Sequence, residues 1–103
     1  MKQIINGLRY DTKTAQLIAE WSNGYNPNDF NWVAEDLYKT KKGTYFIAGQ
    51  GGPSSKYSQQ CGNGLCGGED VQKVTVSQAF DWLEEKGCID AIEKEFGDKI
   101  EDA

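Results

Sequence analysis

Apolar side chains recur in short alternating runs up to residue 75 and at helical spacing after it. Gln3-Ile4-Ile5 and Leu8-Arg9-Tyr10 flank the dipeptide Asn6-Gly7. Asn-Gly accepts positive φ at both central positions of a two-residue turn, so the pattern predicts a tight hairpin. Residues 14–21 alternate, with Ala15, Leu17, Ala19 and Trp21 on one side and Thr14, Gln16, Ile18 and Glu20 on the other. This predicts a half-buried strand, although the same run is also compatible with a helix start. Residues 22–31 carry Asn-Gly, Asn-Pro and Asn-Asp in close succession, which is turn chemistry. A second hairpin is predicted from residues 36–40 and 44–48 around Lys41-Lys42-Gly43, where the glycine takes the left-handed position. Residues 49–68 hold seven glycines and few apolar groups, and are expected to form a mobile loop without regular structure. Residues 71–75 read as a last short strand.

The periodicity then changes. Thr75-Val76-Ser77-Gln78 matches a capping box, in which the threonine hydroxyl and the glutamine amide each satisfy a backbone N–H. Val76, Ala79, Phe80 and Leu83 follow at i, i+3, i+4 and i+7, predicting an amphipathic helix that Gly87 ends. A shorter helix is expected from Ile89 to Phe96, with Cys88, Ala91, Ile92 and Phe96 inward and Gly97 closing it. The tail from Asp98 is expected to fray. The fold class is therefore α+β: one domain over residues 1–103, with a small antiparallel sheet of about four to six short hairpin strands and one or two C-terminal helices packed on it.

Composition narrows the function classes. A chain of 103 residues has room for one core. Its hydrophobic fraction of 38 % is low, but twelve aromatic residues compensate through their large area. No apolar run approaches the roughly 20 residues that span a bilayer. Met1-Lys2-Gln3-Ile4-Ile5 becomes polar too soon for a signal peptide, so a cytoplasmic protein without a membrane partner is expected. The net charge of −5 is unevenly spread: residues 1–68 balance at +2 and residues 69–103 at −7. That asymmetry favours a partner with a basic surface and disfavours direct binding of nucleic-acid phosphates.

Four residue groups are candidates for function. Asp81, Glu84 and Glu85 fall at i, i+3 and i+4, so their carboxylates share one side of the first helix. Glu93, Glu95, Asp98, Glu101 and Asp102 extend the negative charge of the acidic helical segment 75–97 and its tail. Such a row either imitates a phosphate backbone towards a basic channel or is an ordinary solvated helix face. The second group, Gly49 to Lys56, lacks the G-x-x-x-x-G-K-[ST] spacing of a phosphate cradle, and Pro53 removes a backbone donor, so a loop that orders on a partner is expected instead. The third group is Cys61, Cys66 and Cys88. Zinc wants four Cys or His ligands and the chain has no histidine, so a fourth would have to be a carboxylate or belong to another subunit. The spacing admits a Cys61–Cys66 disulfide, but free thiols are the expected state and no metal or cofactor is assigned. The fourth group, Tyr25, Phe30 and Trp32, sits beside loop chemistry and reads as exposed anchors for a protein contact. Catalysis is not expected: there is no histidine and no G-x-S-x-G, and a pair such as Glu35 and Glu69 would have to meet in space.

Three segments, taken together, carry a resemblance: Ile4-Ile5-Asn6-Gly7-Leu8-Arg9-Tyr10-Asp11-Thr12, Leu37-Tyr38-Lys39-Thr40-Lys41-Lys42-Gly43-Thr44-Tyr45-Phe46, and residues 76–85. They resemble a family of small acidic proteins encoded on plasmids, conjugative elements and prophages of Gram-positive bacteria, and the resemblance spans most of the chain. It implies a mobile-element protein of the bacterial cytoplasm without catalytic residues. By association with anti-CRISPR proteins, it implies an inhibitor that binds a CRISPR effector and blocks its nucleic-acid-binding surface. The expected contact residues are Asp81, Glu84, Glu85 and Glu93 with Tyr25, Phe30 and Trp32, on a monomer or homodimer. Alternatives are a structural or regulatory partner in a plasmid transfer or replication complex, and a small metal-binding domain built on the cysteines.

Overall fold

The computed structural model describes residues 1–103 and centres on a four-stranded antiparallel sheet. In chain order the elements are β1 (Lys2–Ile5), β2 (Leu8–Asp11), β3 (Gln16–Ser22), β4 (Val33–Lys39), β5 (Tyr45–Gly51), β6 (Gln59–Cys61), β7 (Gly64–Cys66), β8 (Gly68–Val74), α1 (Val76–Glu85) and α2 (Ile89–Phe96). A 3-10 turn, Gly97–Lys99, follows α2. The central sheet runs β3-β4-β5-β8, while β1–β2 and β6–β7 are separate ribbons. The α+β class is as expected, with eight short strands in three sheets against an expected four to six.

The predicted turns form for the predicted reasons. Asn6 and Gly7 adopt φ of 51° and 79°, joining β1 to β2, and Gly43 at 91° closes the turn between β4 and β5. Both strands of that second hairpin are longer than expected, pairing from Val33↔Gly51 to Lys39↔Tyr45. Thr75 accepts from the Gln78 N–H at 3.1 Å, and the Gln78 side chain accepts from the Thr75 N–H at 2.8 Å. The capping box therefore starts α1 immediately after β8.

Alternation along β4, β5 and β8 sends side chains to two covered faces. On one, Leu37, Tyr45, Ile47 and Val74 pack against Ala79, Trp82, Leu83 and Phe96 of the helices. On the other, Phe46, Ala48 and Val71 pack against Tyr10, so the β1–β2 hairpin lies across the back of the sheet. Tyr10 meets Phe46 edge-on at 5.5 Å, and Tyr38 stacks on Phe46 at 5.3 Å. The result is three layers, helices over sheet over hairpin.

Three expectations are corrected. A bulge between Leu17 and Ala19 reverses the alternation of β3, so Ile18 packs on the helix side and Leu17 is exposed. Val76 is exposed and Trp82 takes the buried position instead. Residues 49–68 are not one irregular loop: β5 runs through Gly51, β6 and β7 form a hairpin, and β8 begins at Gly68. Those strands pair through backbone groups and have few apolar side chains to signal them.

One carboxylate ties the layers together. Glu35 on β4 is 2 % exposed, yet four groups converge on it. Trp82 Nε1 of α1 donates at 3.1 Å and the Tyr57 hydroxyl at 2.5 Å. Lys56 Nζ lies 2.6 Å away and Lys86 Nζ 3.9 Å away. Lys86 also sits 3.7 Å over the Trp21 ring of β3. Tyr57 reaches Glu35 by crossing β5 at Gly49, the Cα partner of Glu35. A Cβ on Gly49 would coincide with the Tyr57 hydroxyl, so only glycine leaves the path open. Burial raises the Glu35 pKa, but hydrogen bonds from Lys56, Tyr57 and Trp82 with the Lys56 charge outweigh it, and the carboxyl is held below its ordinary value of 4.5. Glu69 does not join it. Asp70 continues the Glu35–Gly49 row, whereas Glu69 pairs with Gln50 and so faces the other side of the sheet.

Two stability predictions follow from this hub. Gly49→Ala expels Tyr57 and is expected to cost about 2–4 kcal/mol in urea unfolding. Alanine at Gly64, where nothing crowds a Cβ, is the control, and an equal effect at both sites would refute the crossing. Glu35→Gln leaves Lys86 without its buried partner and is expected to cost about 2–4 kcal/mol at pH 7. Because the folded-state pKa is depressed, the charge contributes fully above pH 4.5 and is lost as pH falls through the folded value. The gap between wild type and Glu35→Gln should therefore narrow in acid; a gap independent of pH would exclude the charge as its cause.

Candidate functional site

Helix α1 starts where β8 ends, beside the Lys39 end of the sheet, and finishes over Glu35 at the other end. Its apolar residues Ala79, Trp82 and Leu83 face the sheet, which turns Asp81, Glu84 and Glu85 to solvent. Asp81 and Glu84 form no ion pair, while Glu85 lies 3.6 Å from Lys86. Glu93 is exposed on α2, as is Asp90 in its first turn. The three α1 carboxylates thus share one solvent face, as their spacing predicts.

Glu95 departs from the expected row. It accepts a 2.7 Å hydrogen bond from the Tyr45 hydroxyl and pairs with Lys39 at 3.4 Å, so it is an internal strut between α2 and the sheet. Burial and then this Glu95 bond push the Tyr45 hydroxyl up to about 12, and it remains a proton donor throughout the neutral range.

The aromatic candidates lie on the connection between β3 and β4. Tyr25 is 52 % and Phe30 66 % exposed, whereas Trp32, expected as a third exposed anchor, is half-buried just ahead of β4. The segment is braced by its own side chains: Asn23 accepts from Val33 N at 3.1 Å and donates to the Asn31 carbonyl at 2.8 Å, and Asp29 accepts from Asn31 N at 2.8 Å. It is also joined to the glycine segment. The N–H groups of Gly52 and Ser54 donate to the carbonyls of Trp32 and Phe30, each at 2.8 Å. Tyr25 and Phe30 are therefore presented on a braced platform at the end of the sheet where α1 finishes. Lys56, 64 % exposed on its side chain, stands at the same end, so this surface mixes carboxylates, rings and one ammonium.

The cysteines do not assemble. Cys61 and Cys66 share one face of the β6–β7 hairpin, diagonal to one another, because Cys61 pairs with Gly64 and Cys66 with Gln59. The nearby Cys66 thiol raises the Cys61 thiol, while Cys66 Sγ itself donates to the Gln59 carbonyl at 3.6 Å. Cys88 is elsewhere, at the start of α2 against the helix-side core. No three metal-ligating side chains come together.

The carboxylate pair that does converge was not singled out by sequence: Glu20 and Asp36 are cross-strand partners on the back of the sheet. Burial, then the Glu20 charge, raises Asp36, and burial with both carboxylates raises the neighbouring Tyr38. Sequence spacing carried no sign of this pair, since the register of β3 against β4 depends on the bulge.

The arrangement at the α1 end suits docking of a macromolecule: exposed rings for apolar contact, a carboxylate face for charge, and a braced backbone beneath both. The chain matches no protein-family model, no curated protein and no solved structure.

Proposed function

We propose that the chain is a non-enzymatic, stoichiometric inhibitor that binds a protein with a basic surface, most concretely a CRISPR effector whose nucleic-acid channel it occupies. The observation that carries this reading is the solvent face of α1. Asp81 and Glu84 stand exposed without a cation, and Glu85 beside them touches only Lys86. Carboxylates repeated along a rigid helix present negative charge at fixed intervals, as a phosphate backbone does, and an effector channel is strongly basic. Tyr25 and Phe30 at the same end supply the apolar anchor that charge alone lacks, since charged rims mainly set association rate and specificity. The mobile-element resemblance of the sequence supports the choice of partner.

A plasmid-interference assay across several CRISPR types, with and without the protein, tests the proposal. Inhibition of one type, with a stable complex of inhibitor and effector, is the expected result. Asp81→Lys, Glu84→Lys and Glu85→Lys together should weaken that complex by about a hundredfold or more and reduce its salt sensitivity. Circular dichroism should not change, because all three side chains are exposed. Unaltered inhibition by the triple variant would remove the α1 face from the mechanism.

A further inference from the structure

The opposite end of the molecule carries a different chemistry. Where β2 passes the β4–β5 turn there is a groove of about 260 Å³ whose walls include Arg9, Tyr10, Thr40, Lys41, Lys42 and Thr44. A neighbouring groove of about 590 Å³ shares Thr40, Lys41 and Lys42, so the two lysines form a ridge between two hollows.

Three features of the first groove point to a ligand. Arg9, Lys41 and Lys42 line it together and form no ion pair within the fold, so their charge is available to an anion. Its hydroxyl groups have protons to give. Thr40 Oγ1 accepts from Thr44 N at 3.1 Å and donates to nothing in the chain, and the Thr44 hydroxyl has no partner. Most telling is Tyr10. The residue is 2 % exposed and its ring is fixed edge-on against Phe46, yet its hydroxyl makes no hydrogen bond within the chain. No sealed side-chain polar atom of the protein lacks a partner, so this hydroxyl reaches solvent, and Tyr10 lines the groove. A buried tyrosine ordinarily finds a partner for its O–H. Here the hydroxyl is solvated, and its water can be exchanged for an acceptor oxygen of a ligand.

We propose that this groove binds a phosphate monoester or inorganic phosphate. The three cations with Asp11, the one carboxylate of the lining, give a local balance of +2. A phosphate monoester carries about −1.5 to −2 at pH 7, and its oxygens accept from guanidinium, ammonium and hydroxyl donors together. Asp11 already accepts from Lys13 N at 3.0 Å. Leu8 and the Tyr10 ring add an apolar wall for the group that carries the phosphate. The whole-chain charge of −5 opposes a long polyanion, but a compact anion experiences mainly the charges within about 10 Å. The α1 carboxylates stand on the other side of the sheet, because the helices and the β1–β2 hairpin cover opposite faces. The site is therefore independent of the protein-binding surface.

The test is an NMR titration of the isolated chain with inorganic phosphate and, in parallel, with a nucleoside 5′-monophosphate. Saturable amide shifts are expected at Arg9, Tyr10 and residues 40–44. Tighter binding of the monophosphate would assign the apolar wall to its nucleoside, and binding of both alike would assign the site to the phosphate itself. Arg9→Gln and Lys42→Gln, both at exposed positions, should each weaken binding by about tenfold while leaving the fold intact. Tyr10→Phe keeps the ring on Phe46 and should weaken binding severalfold through loss of the hydroxyl alone. The triple α1 reversal should leave phosphate binding in place. Absence of saturation in the millimolar range, or shifts indifferent to Arg9→Gln and Tyr10→Phe, would overturn the proposal.

Discussion

Glu35 is a buried negative charge in a domain too small to hide one without compensation. Removing such a group from water is costly, and the cost falls only when the surrounding chain returns hydrogen bonds and positive charge. Here the return comes from four side chains on two segments: Lys56 and Tyr57 of the glycine-rich segment, and Trp82 and Lys86 at the end of α1. Each of those segments is thereby positioned by the same carboxylate. The segment between β5 and β6 is drawn over the sheet, the C-terminal half of α1 is seated on it, and Lys86 is trapped between Glu35 and the Trp21 ring. Gly49 belongs to the same constraint, since its missing side chain is the passage through which Tyr57 arrives.

The surfaces at the two ends of the molecule are each positioned by an internal carboxylate, Glu35 at one and Glu95 at the other. The aromatic platform of Tyr25 and Phe30 is joined by backbone hydrogen bonds to residues 52–54, just ahead of the Glu35 ligands Lys56 and Tyr57. The orientation of α1, and so of Asp81, Glu84 and Glu85, is set by Trp82 on the same carboxylate. At the far end, Glu95 with Tyr45 and Lys39 does a similar job for α2. This removes Lys39 from the free cations there and leaves Arg9, Lys41 and Lys42 without ion-pair partners. A chain with a net charge of −5 thus displays acid on one face and a local basic groove on the other. Net charge is an average, and ionic screening makes each surface feel only its own neighbourhood.

Local chemistry made much of the fold legible. Asn6-Gly7, Lys41-Lys42-Gly43 and the Thr75–Gln78 capping box act over a few residues, so their geometry follows from their own side chains. The spacing of Asp81, Glu84 and Glu85 likewise needs only the helical repeat to place them on one face. Failures occurred where the deciding contact was distant. The bulge in β3 exchanges Leu17 for Ile18 because Ile18 and Ala19 both pack on the helix-side core. Residues 49–68 carry no strand signal because their strands are built largely from Gly, Gln and Cys, whose pairing is a backbone matter. Glu95 has the spacing of a surface acid, and only the approach of Tyr45 and Lys39 makes it internal.

By itself, the sequence determined the class of the fold, the turns at Asn6-Gly7 and Lys41-Lys42-Gly43, the helix boundaries and the outward carboxylate face of α1, because each depends on interactions within a turn or two of chain. Tertiary structure alone decided that Glu35 is the buried hub and that Gly49 must be glycine. It also decided that Tyr10 lines one groove with Arg9, Lys41 and Lys42. Those outcomes rest on strand register, which brings together residues tens of positions apart, and no local propensity encodes which side chain a cross-strand neighbour will meet.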